Sequence, residues 1–177
     1  MTVELPEYLR SLQQAEMTLA HSYNDVAMEH AADPESAGLF LALAGQGREH
    51  ALVLGPLLKR YELDPDAASG IPIEGVVDPG LVRCRAPLLE LQDLYLSACL
   101  VDMGWTILIQ VGRGLEDREL VRVVEHCTSE TGKQLVWIKS RIQHAARPSL
   151  SRAPRHRRRP QSTAVPTMAA GPSRNRA

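Results

Sequence analysis

The chain has 177 residues, 44% hydrophobic and only 4% aromatic, with three cysteines and a net charge of −1. This composition suits one helical domain with added segments. It argues against a β-sandwich, and the wide spacing of Cys84, Cys99 and Cys127, with no CxxC pair, argues against a zinc ribbon or a disulfide framework.

The first expected helix runs from Pro6 to Ala32, with an inward stripe of Leu9, Leu12, Glu16, Leu19, Tyr23, Val26 and His30 at steps of three and four. Asp33 then reads as an N-cap and Pro34 as the first residue of a second helix. Its stripe is Phe40, Leu43, Gly47, His50, Leu54, Leu57 and Tyr61, with Pro56 expected to kink it. Residues 63–86 carry Pro and Gly among Asp and Ser with no sustained period, which reads as a long crossover connection. A third helix from about Pro87 shows Leu91, Tyr95, Ala98, Asp102, Trp105, Ile109 and Gly112. A fourth from about Asp117 shows Leu120, Val123, Cys127, Glu130, Gln134, Trp137 and Arg141, and Pro148 is expected to end it.

Charge divides the chain. Residues 1–146 hold all 21 acidic and 12 of the basic residues, a balance of −9, whereas residues 147–177 hold eight Arg and no acid. The second stretch is rich in Pro, Ser and Ala and has too little apolar surface to offset the entropy of ordering. The expected organisation is a bundle over 1–146 and a disordered basic tail over 147–177. The start, MTVELPEYLR, lacks signal-peptide character, and no stretch of about 18 apolar residues is read in the chain, so no transmembrane helix and a cytoplasmic protein without a membrane partner are expected.

Four polar residues interrupt the apolar stripes at matched heights. Glu16 and His50 are each 17 residues from Asp33, and Asp102 and Glu130 are each 14 residues from Glu116. Folding the chain back at those breaks gives a layer of carboxylates and imidazole, a donor set that suits one Fe, Mn or Zn ion. Each member also has a plainer reading. Glu16 and His50 can satisfy each other as a polar pair, Glu130 can pair with Lys133 on one helix face, and a neighbouring helical register turns Val101 inward and leaves Asp102 at the seam edge. Trp105 and Trp137 read as core anchors, Cys99 and Cys127 as small buried hydrophobes, and His21, His126 and His144 as surface histidines.

Two hairpins joined by a long crossover, with carboxylates at midplane, resemble the ferritin-like superfamily, rubrerythrin above all. Ala15-Glu16 followed by Tyr23 is similar to the first-helix Glu ligand and its Tyr neighbour. Gly47-Arg48-Glu49-His50-Ala51 is similar to a Glu-x-x-His segment, and Glu130 to the Glu of the second one. The resemblance implies an all-α, four-helix up-down bundle with a crossover between helices 2 and 3. It also implies six di-iron ligands, of which Gly47 and Lys133 replace two and Asp102 shortens a third. The expected function is therefore a ferritin-like protein with a depleted site at Glu16, His50, Asp102 and Glu130, holding one divalent ion weakly or none. The alternatives are a non-catalytic interaction or scaffold module, and an active di-iron oxidase or peroxidase completed by Gln134. The partners considered are a second copy through the bundle faces and a polyanion held without sequence preference by the Arg-rich tail.

Overall fold

The computed structural model describes residues 4–61 and 87–150, which form four α-helices and no strand: α1 (Leu5–Glu29), α2 (Pro34–Arg60), α3 (Pro87–Gly114) and α4 (Arg118–Leu150). The expected connection over 63–86 and the tail beyond Leu150 lie outside the described residues.

Local chemistry sets the helix ends. Asp33 is the N-cap of α2 and accepts from the Ser36 backbone N–H, with Pro34 in the first turn. Asp117 does the same for α4, accepting from Glu119 and Leu120 N–H at 3.1 and 3.0 Å. Between α3 and α4 the Glu116 N–H donates to the Arg113 carbonyl and the Asp117 N–H to the Gly112 carbonyl. That pair of bonds is a Schellman closure, and it holds Glu116 at φ 53°, where glycine is usual. One expected end is corrected: α4 runs through Pro148 to Leu150. Proline lacks the N–H for one backbone bond, a loss the final turn tolerates.

Wherever two helices pack, their contacts run in opposite chain order. On α1 and α2, Gln13 reaches Ala51 and His30 stacks on Phe40. On α3 and α4, Gly112 lies against Leu120 and Val121, while Tyr95 and Leu96 share a groove with Lys139 and Ile142. Across the pairs, Leu12 lies on Gly104 and His30 near Glu90, while Arg60 meets Asp117 and Gln46 meets Gln134. α1 therefore packs on α2 and α3, and α4 on α3 and α2; α2 and α3 do not pack side by side.

The core holds Leu9, Leu12, Leu19, Tyr23, Leu54 and Trp105, all essentially without solvent exposure. On α3 and α4 the inward register differs from the expected one. α3 buries Leu91, Leu94, Ala98, Val101, Trp105 and Leu108, and α4 buries Leu120, Val124, Cys127, Thr131, Gln134 and Ile138. Tyr95, Asp102, Ile109, Val123, Glu130 and Trp137 are half-buried at the seam edges.

Candidate functional site

The buried polar layer centres on His50, 2% exposed on α2. Its Nδ1 lies 3.0 Å from Glu16 Oε1 on α1, and its Nε2 lies 3.0 Å from Glu130 Oε2 on α4. Glu16 is 1% exposed, and the same Oε1 accepts from the Trp105 indole N–H of α3 at 2.7 Å. The Trp105 and His50 rings also meet nearly at right angles, with centroids 5.8 Å apart. All four helices thus contribute one side chain to one network.

Proton counting follows from this geometry. Carboxylates only accept when ionised, so two bonds from one imidazole to two carboxylates need both ring nitrogens protonated, or one carboxyl protonated. Burial alone depresses the His50 pKa and is the largest influence on it, but the hydrogen bonds and charges of Glu16 and Glu130 outweigh it and leave the ring above its ordinary value. Glu130 is held below its ordinary range, first by the His50 hydrogen bond, against partial burial, with His126, His50 and Lys133 adding positive charge. The imidazolium between two carboxylates is the state both shifts favour.

The layer opens to solvent on one side. The Glu130 side chain is 23% exposed, and His126, 71% exposed, stands 3.6 Å from the same Oε2, one turn away on α4. A second chain of bonds lies beside it. The Tyr23 hydroxyl donates to Gln134 Oε1 at 3.3 Å, and Gln134 Nε2 donates to Gln46 Oε1 at 3.2 Å. Burial, then the Glu16 charge, pushes the Tyr23 pKa up, so the phenol stays a donor. Burial and the charges of Glu16 and Glu130 push the Cys127 thiol up to about 12, far from a thiolate ligand.

Of the four residues singled out in the sequence, three meet. Asp102 does not: it is half-buried at the edge of α3, and among the described residues its carboxylate bonds none of the other three. Val101 points inward instead. Glu130 pairs with His50 and His126, with Lys133 contributing charge only. Sequence reading missed Trp105 as a polar partner. The available signal was its place one helical turn past Asp102, level with Glu16, because an indole is both a core filler and a donor.

A di-iron centre does not fit these residues. The position of the second-helix ligand is Gly47, where even a Cβ would meet Ala20 Cβ at 3.1 Å, Glu16 O at 3.3 Å and Glu16 Oε2 at 3.4 Å. The carboxylates of Glu16 and Glu130 sit on opposite edges of the His50 ring, so they do not converge on one ring nitrogen. The Trp105 N–H aims a donor, not a lone pair, at the shared carboxylate oxygen. Among the described residues no group of three or more His, Cys, Asp or Glu side chains converges so as to hold a metal ion.

A second buried ionisable group lies at the end of the bundle. Glu90, 3% exposed, is 3.9 Å from His30. Burial, with the nearby Glu29 and Asp93 carboxylates, raises its pKa to about 7. No family model, curated protein or solved structure matches this chain.

Proposed function

We propose that this protein is a ferritin-like bundle whose midplane is a hydrogen-bonded polar layer, binding one divalent ion weakly at most. The observation that carries the reading is His50 held at both ring nitrogens by carboxylates from two other helices. An ion entering beside Glu16 would have to displace the Nδ1 proton and, among the described residues, would find Glu16 and His50 as its close donors. Four or more donors are the usual requirement. The opposed chain order of every packed helix pair, with α2 and α3 apart, supports an up-down bundle with a crossover. On this reading the layer is structural. It fixes the register of four helices by satisfying groups that cannot be left unpaired in the core.

Titrating metal-free full-length protein with Fe(II), Mn(II) and Zn(II), with elemental analysis after dialysis, tests this. At most one readily lost ion per chain is expected, and two retained ions per chain would overturn the reading. The interaction-module alternative draws on a separate observation, the apolar outer face of α3.

A further inference from the structure

α3 is apolar on more than its core face. Opposite Leu94, Val101 and Leu108 stand Leu89, Leu96, Leu100, Met103 and Ile107, with Asp93 completing steps of 4, 3, 4, 3 and 4. Leu96 and Met103 are each 58% exposed, Leu89 48% and Ile107 41%. An 18-residue window of this helix has a mean hydropathy of 1.5, yet only 39% of it is buried. A helix with one buried face ordinarily turns polar residues outward, so this second face calls for a cover.

The spacing selects the kind of cover. A strict 3.5-residue period over about 27 Å is what a second helix needs to seat knobs in holes. A lipid surface needs no such period and favours Lys and Arg around the apolar stripe. Here the neighbouring acidic groups are Asp93 and Asp102, on a bundle with an excess of acid. The chain itself supplies a matching seam. In a parallel pair the two Asp93 carboxylates would face each other. In an antiparallel pair with its two-fold between Leu100 and Met103, Asp93 falls against Gln110 and near the second copy's exposed Arg113, which already pairs with Glu125 of its own chain and would be shared, with opposite charges close. Next to the seam a groove of about 450 Å³ between α3 and α4, lined by Tyr95, Leu96, Lys139 and Ile142, gives room for the second copy's side chains.

We infer that the outer face of α3 is the surface on which two copies of this chain pair, antiparallel, along the seam from Leu89 to Ile107. This does not depend on the reading of the polar layer.

Sedimentation equilibrium of the full-length chain over a range of concentrations tests it. A dimer is expected for the wild type. Leu96→Glu with Met103→Glu should give a monomer with an unchanged helical circular-dichroism signal. Leu52→Glu, on the exposed face of α2, should leave the dimer intact. Should the charged pair lose helix, Leu96→Gln with Met103→Gln reads the same surface without added charge. Asp93→Asn should weaken the dimer; a tighter one would overturn the antiparallel arrangement. A wild type that stays monomeric, or a dimer that survives both double variants, overturns the proposal. So does a monomer that binds phosphatidylcholine vesicles through Leu96 and Met103, which would assign the face to lipid.

Discussion

The Trp105 indole N–H and the His50 imidazole meet on one oxygen, Oε1 of Glu16, at 2.7 and 3.0 Å. A carboxylate at 1% exposure survives in an aliphatic core only because donors from α2 and α3 replace the water it lost. Trp105 is thus both the largest buried side chain and a fixed donor. Trp105→Phe keeps an aromatic ring but removes the N–H and part of the indole's buried volume. Denaturant unfolding should show a loss of about 1–3 kcal/mol, the usual cost of stripping a partner from a buried group. A change within error would mean that this bond contributes nothing.

The pH dependence has a definite sign. His50 is held above its ordinary pKa, so its stabilisation is full below that ordinary value and is lost as pH rises through the raised one. Glu90 adds a decline at lower pH. Its pKa of about 7 favours the protonated form in the folded state, so that contribution is full below the ordinary carboxylate value and is lost as pH rises through about 7. Glu130 acts oppositely: its contribution is present above the ordinary carboxylate value and is lost as pH falls through its lowered one. Thermal midpoints should therefore fall with rising pH in two windows, from the ordinary carboxylate value to about 7 through Glu90, and from the ordinary imidazole value to the raised one through His50. His50→Gln and Glu90→Gln should each flatten part of that decline, and an unchanged slope in both would contradict the assignment.

Two glycines two residues apart should respond in opposite directions. Gly45 has nothing within 4 Å of an added Cβ, so Gly45→Ala should stabilise α2 by about 0.5–1 kcal/mol. At Gly47 the added carbon meets Ala20 Cβ and a Glu16 backbone oxygen, neither of which can swing away. Gly47→Ala should destabilise despite its better helix propensity. Equilibrium unfolding of the two variants checks the pair, and a stabilised Gly47→Ala would mean that α1 and α2 sit farther apart.

Much of the bundle is legible in the sequence because the polar caps and the steps of three and four are local. Asp33-Pro34 marks the α2 start, and the stripes of α1 and α2 fall almost wholly in the core. α3 was harder because it is apolar on both faces, so periodicity alone does not choose between Val101 and Asp102 as the inward residue. Asp102 also interrupts the apolar run of α3, although the helix's average hydropathy suffices for a membrane span by length and composition. Pairing Glu16 with His50 followed from equal spacing about a short turn. The part played by Trp105 did not, because it depends on how far α3 rotates against α1.

Glu116 sits in the left-handed region at φ 53° while closing α3 onto α4. A side chain there is strained by roughly 1 kcal/mol. Glu116→Gly should raise the unfolding midpoint modestly without altering the polar layer. A lowered midpoint would show that the Glu116 side chain has a stabilising partner.

The most direct test of the central claim is the ring-nitrogen NMR spectrum of His50 at neutral pH, before and after one equivalent of Zn(II). An imidazolium with protons on both Nδ1 and Nε2, donating to Glu16 and Glu130, is expected, with little change on adding zinc. A neutral ring whose Nδ1 shifts to a metal-bound value at one equivalent would contradict it.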